Sequence, residues 1–106
     1  FDIDFNVVDQ RGDTPLHIAC FNGQFEVVKF LLENSNEKGI DIYKKNNNQK
    51  TAEDYARHKG HKETLELLEV WTIPKKIEAY KSRLDTLKRK YHYSEEDLAK
   101  HTKKSN

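Results

Sequence analysis

Two stretches of this chain match each other at a fixed spacing of 37 residues. Thr14 falls on Thr51, Ala19 on Ala56, Gly23 on Gly60, and Ile3-Asp4 on Ile40-Asp41. Self-similarity at a constant period in this range marks a stacked repeat architecture. The first copy spells out the unit. Asp9-Gln10-Arg11-Gly12 reads as a tight turn in which Gly12 accepts the positive φ that such a turn demands. Thr14 can cap the helix that follows, with Pro15 at the first helical position, where no N–H is needed. Gly23 ends that helix, and Phe25, Val28, Phe30, Leu31 and Leu32 form the apolar face of a second one, expected to be buried by the next unit.

These residues resemble ankyrin repeats. The family's Asp-x-x-Gly-x-Thr-Pro-Leu-His-x-Ala pattern is met by Asp9, Gly12, Thr14, Pro15, Leu16, His17 and Ala19, and Val27-Val28-Lys29-Phe30-Leu31-Leu32 is similar to its second helix. The resemblance implies an all-α fold: a helical solenoid of about two repeats, followed by one or two extra C-terminal helices.

Taken in order, the chain divides into a partial repeat over 1–8, a repeat over about 9–38, a terminal repeat over about 41–73 and a helical extension over 74–106. The opening residues look like the stretch that leads into a hairpin, so a longer parent protein is expected, with upstream repeats or another domain over Ile3, Phe5 and Leu16. A naturally short N-terminal half-repeat is the alternative. The connection Asn34–Gly39 is longer than the family's usual spacing, which loops tolerate because closure entropy grows slowly with length. In the second copy Asn46 stands for the turn Asp and Gln49 for the turn Gly. Gln adopts left-handed geometry reluctantly, so a distorted or mobile hairpin is expected. Lys62 and Glu69 replace Phe25 and Leu32, which suits a terminal unit with a polar outer face.

Val70-Trp71-Thr72-Ile73 leaves the repeat register, and Pro74 can open a capping helix over about 74–91. Ile73, Ile77, Tyr80, Leu84, Leu87 and Tyr91 make a short heptad seam along it, expected to pack on the last repeat; a coiled-coil dimer through Ile77–Tyr91 is the alternative to a monomer. A short helix over about 95–103 follows, with Ser94 as cap and Asp97 as capping-box acid.

Charge separates along the chain. Residues 1–73 carry nine Lys/Arg and thirteen Asp/Glu, whereas 74–106 carry ten and five. Lys75, Lys76, Lys81, Arg83, Lys88, Arg89 and Lys90, with Tyr80, Tyr91 and Tyr93, offer a nucleic-acid or anionic-membrane surface, or a solvated face opposite the seam. A single cysteine excludes an internal disulfide, and no apolar run is long enough to span a bilayer. An intracellular setting is expected, cytoplasmic or nuclear, or a host cytosol for an effector.

No catalytic constellation stands out. His58 and His61 lie three apart with Asp54 nearby, but a zinc site needs further fixed ligands. The resemblance gives His17 and His61 a structural role, bonding to neighbouring turns, and makes Cys20 a packed small residue. No catalytic residue, metal or cofactor is implied.

The resemblance also implies that hairpin tips and inner helices bind another protein. The corresponding positions are Val8, Gln10, Arg11, Asp13, Phe21 and Asn22 in the first unit, and Lys45, Asn47, Asn48, Lys50, His58 and Lys59 in the second. Phe21 and Arg11 are the candidate anchors. Two further readings stay open: a non-catalytic appendage of a larger enzyme or host-directed bacterial effector, and attachment to nucleic acid or membrane through 75–90.

Overall fold

The turns and caps form where the spacing puts them, and five helices hang from them. A computed structural model describes residues 4–72, 78–94 and 96–97, with backbone only over 78–80. The helices are α1 (Pro15–Phe21), α2 (Phe25–Glu33), α3 (Ala52–Lys59), α4 (Lys62–Thr72) and α5 (Glu78–Tyr91); no strand occurs among the described residues. This is the all-α stacked-repeat fold expected above. The first helices of the two units, α1 and α3, pack side by side, as do the second helices, α2 and α4, and α5 lies on α4.

The two units are built by the same local bonds. Asp9 Oδ1 accepts from the backbone N–H of Arg11 at 2.9 Å and of Asp13 at 3.0 Å. Asn46 Oδ1 accepts from Asn48 at 2.8 Å and Lys50 at 2.9 Å, 37 residues on. Gly12 sits at φ 80° and Gln49 at φ 64°, so the second hairpin is neither lost nor opened. Thr14 and Thr51 both close capping boxes, with His17 and Asp54 returning the bond to the cap's own N–H. Such caps contribute about 1 kcal/mol each.

The core runs between the units and under α5. Leu16, Cys20, Val28, Leu31 and Leu32 from the first unit meet Ala52, Ala56, Leu67 and Leu68 from the second, and Leu84 and Leu87 close the far side. Two sequence expectations need correction. Leu16 is buried within the described residues themselves, without an upstream cover. Phe30 is half exposed, turned away from the second unit, and meets Phe5 at 6.5 Å instead. Ile3 lies outside the described residues.

The outer side of α4 is covered rather than solvated. Arg83 holds Glu69 at 2.6 Å, Lys90 holds Glu66 at 2.6 Å, and Tyr91 donates to Glu66 at 3.0 Å. Leu84, Leu87 and Tyr91 of the heptad seam are spent on α4 and α2, Tyr91 meeting Phe25 at 5.8 Å. That part of the seam is therefore occupied within the chain. Ile77 and the start of the capping helix lie outside the described residues. So does most of the 95–103 helix, although its cap is present: Asp97 N donates to Ser94 Oγ at 3.2 Å.

Candidate protein-binding surface

The expected contact positions sit on the turns and on the ends of α1 and α3. Between them run three links that join the units. The first is at the hairpin tips. Asn47 donates its backbone N–H to the Arg11 carbonyl at 2.9 Å and its side-chain amide to the Gln10 carbonyl at 3.0 Å. Asn47 is exposed, yet its donors serve the stack.

The second link is a buried polar cluster. Asp13 Oδ1 accepts from the Asn46 amide at 2.8 Å and from the Tyr55 hydroxyl at 2.9 Å. Asp13 is only 4% exposed, so its carboxylate is not the surface contact that the resemblance implies. Burial, then the Asp13 carboxylate, pushes the Tyr55 phenol above its ordinary value. Sequence reasoning missed Tyr55 altogether. Its register was the available signal: it stands where Ile18 stands in the first unit, on the side facing the neighbouring turn.

The third link uses histidines. His17 Nε2 donates to the Lys50 carbonyl at 2.8 Å while its Nδ1 accepts from Thr14 N at 3.1 Å, which assigns the neutral Nε2–H tautomer. His61 Nε2 donates to the Phe21 carbonyl at 3.0 Å. Both histidines bond to the neighbouring unit, as the resemblance implies. Among the described residues, no group of three or more metal-ligating side chains is gathered. Cys20 is fully buried, and burial pushes its thiol up to about 12, so it is inert as a nucleophile at neutral pH.

What remains exposed around these links is aromatic and cationic. Phe21 keeps 40% of its surface open although both sides are held: the Tyr55 ring meets it edge-on at 5.5 Å, and Lys59 Nζ lies 4.8 Å over it. Arg11, Lys45, Lys50, His58 and Lys59 are exposed, as are Val8, Gln10, Asn22 and Asn48. The Asn22 amide donates to the Ile18 carbonyl at 3.1 Å and finishes α1. Phe21 and Lys59 are thus brought together, as are Gln10, Arg11 and Asn47. Val8 and Asn22 belong to neither group.

The basic extension is differently disposed. Arg83 and Lys90 pair with α4 carboxylates, and Lys88 is mostly buried beside Asp85 at 3.4 Å. Arg89 is exposed; Lys75 and Lys76 lie outside the described residues. These pairings explain part of the charge asymmetry: the basic tail neutralises an acidic stripe on α4. Among the described residues, no helix is long and apolar enough to cross a membrane.

A family model of ankyrin repeats (3 copies) matches residues 1–72. Alpha-latroinsectotoxin-Lt1a of Latrodectus tredecimguttatus is 41% identical over 59 residues, 56% of this chain and 4% of the toxin. Serine/threonine-protein kinase TNNI3K of Mus musculus is 56% identical over 27 residues, 26% of this chain and 3% of the kinase. Ankyrin repeat domain-containing protein 7 of Homo sapiens is 53% identical over 30 residues, 28% of this chain and 12% of that protein. The chain therefore spans a small part of the curated relatives it matches. No solved structure matches it significantly.

Proposed function

The chain belongs to the ankyrin-repeat family, and from that membership we propose that it binds another protein through its hairpin tips and the ends of α1 and α3. Ankyrin repeats are non-catalytic and generally serve in protein–protein interaction. The observation that carries the reading is Phe21. An aromatic ring left 40% open, yet fixed by Tyr55 and Lys59, loses little entropy when a partner covers it. The exposed cations among the contact positions, Arg11, Lys45, Lys50 and Lys59, favour an acidic surface on the partner. The alternative is a non-catalytic binding appendage of a larger protein, a reading supported by matches that span only 4% of the toxin and 3% of the kinase.

The basic helix is the weaker attachment surface, since two of its cations are paired on α4 and a third is mostly buried. The test is a quantitative pull-down with the intact chain, the Arg11→Ala/Phe21→Ala pair, and Arg89→Ala. Loss of a partner with the pair, at unchanged fold and with Arg89→Ala still binding, supports the reading. A partner retained by the pair and lost with Arg89→Ala contradicts it.

A further inference from the structure

Asn22 is the one asparagine of the sequence followed by glycine. The pair stands at the junction of α1 and α2, and the second unit has Lys59-Gly60 in the same register. The chemistry of such a pair follows from what glycine lacks. Without a Cβ, Gly23 leaves its backbone nitrogen open to the asparagine side chain, whose amide carbon is an electrophile. Asn6, Asn34, Asn36 and Asn46 to Asn48 are each followed by a residue whose side chain crowds that nitrogen.

The fold exposes this pair and at the same time holds it out of reaction. Asn22 lies at the surface. Its side-chain amide donates to the Ile18 carbonyl at 3.1 Å, and the Gly23 N–H donates to the Cys20 carbonyl at 3.3 Å. Asn22 stands at ψ 1°, so the Gly23 nitrogen eclipses the backbone nitrogen of Asn22 rather than the Cβ that carries the amide. Attack needs the opposite, nucleophile and carbon aligned at near-contact distance. The neighbouring unit closes the other side. A Cβ on Gly23 would meet His61 Nδ1 at 2.6 Å, and His61 Nε2 donates to the Phe21 carbonyl at 3.0 Å. Since α1 is only 7 residues long and its end is held by these few bonds, that end opens more readily than the core.

We propose that Asn22 is a site of spontaneous deamidation, permitted by local opening of the α1–α2 junction and not undone by restacking. On opening, the Gly23 nitrogen attacks Asn22 Cγ. The N–Cγ bond forms, the Cγ–Nδ2 bond breaks, and ammonia leaves with the proton that the Gly23 nitrogen gives up. The product is a succinimide, and water then adds to one of its two carbonyls. Addition at Cγ gives aspartate at position 22; addition at the backbone carbonyl gives isoaspartate, with one extra carbon in the main chain. Aspartate keeps the skeleton but sets a carboxylate, in place of an amide donor, beside the Ile18 carbonyl at the negative end of α1. Isoaspartate lengthens the short 22–24 junction, where the His61 ring leaves no spare room at Gly23 and bonds to the Phe21 carbonyl. The lengthened chain gives up that bond and displaces the Phe21 ring. A one-way change at Asn22 thus disables the surface around Phe21. That consequence rests on the partner-binding reading; the conversion itself does not.

The test incubates the intact chain, and separately a peptide of residues 18–27, at neutral pH. Mass spectrometry follows the fragment carrying Asn22, and an isoaspartyl methyltransferase counts the isoaspartate. The peptide, which cannot form the stack, sets the rate without a fold. The intact chain is expected to show the amide-to-acid mass shift at Asn22 about ten- to a hundred-fold more slowly, as a local opening equilibrium dictates. Asn22→Gln should stay unconverted in both, because its longer side chain has to close a larger ring. The isoaspartyl chain, separated by ion exchange, should melt about 5 °C below the unmodified chain, with Asn22→Asp much nearer to it. Equal rates in chain and peptide overturn the proposal. So does an intact chain still unchanged after about a hundred half-lives of the peptide. An isoaspartyl chain that melts with the unmodified one overturns the claim that the stack rejects the product.

Discussion

The two hairpins make the same hydrogen bonds from different residues, and the difference separates two demands usually satisfied together by glycine. Gly12 and Gln49 both stand at positive φ, so the turn tolerates a side chain at a cost. What it does not tolerate is a neighbour. A Cβ on Gly12 would lie 2.6 Å from Asn47 Oδ1 and 2.9 Å from the Asn47 backbone nitrogen, because the second hairpin stacks there. The helix-ending glycines repeat the lesson. A Cβ on Gly23 would meet the His61 ring at 2.6 Å, whereas one on Gly60 meets nothing within 4 Å. Glycine in the first unit is required by stacking as well as by φ; in the second, only by φ.

Substitutions can break this contrast. Gly12→Ala carries the largest expected loss, about 3 kcal/mol, because left-handed strain adds to a clash with fixed backbone. Chemical denaturation would measure it. Gly23→Ala should cost about 2 kcal/mol, since the His61 ring can swing aside only by giving up its bond to the Phe21 carbonyl, while Gly60→Ala should cost about 1 kcal/mol from backbone strain alone. Equal losses at Gly23 and Gly60 would erase the distinction between the units. In the opposite direction, Gln49→Gly should add about 0.5 kcal/mol, the relief of strain being partly offset by greater unfolded-state freedom.

The smallest expected effect concerns pH and sharpens the contrast at the covered end. A hydrogen bond from Lys90 holds Glu66 below its ordinary value, and the Thr51 backbone does the same for Asp54. A carboxylate depressed in the folded state contributes stability that is present above its unfolded pKa and is lost as pH falls through the folded one. Stability should therefore decline below about pH 4 to 5, and Glu66→Gln should flatten that decline in thermal melts recorded across acidic pH. An unchanged slope would show that the Lys90–Glu66 pair contributes nothing in solution.

Much of this was legible in the sequence because it rests on local chemistry. The offset between Thr14 and Thr51, the capping residues and the two histidines follow from short-range bonds that residue type dictates. The orientation of α2 was not legible. Phe25, Val27, Val28, Phe30, Leu31 and Leu32 leave it apolar on more than one side, so periodicity could not decide which residues faced the second unit. For that reason the pattern groups Phe30 with the buried face, whereas it is half exposed and meets Phe5. Nor does the position of Asp13 in a turn reveal its burial, which comes from Tyr55 arriving from the next unit. Likewise the pairing of Arg83 and Lys90 depends on how α5 is rotated against α4, which the heptad seam constrains only in part.

The stacking of the two hairpins is tested most directly by a nuclear Overhauser spectrum of the chain. One α-proton of Gly12 should give a strong cross-peak to the backbone amide proton of Asn47. Its absence, with both residues assigned and the protein folded, would contradict the stack on which this account stands.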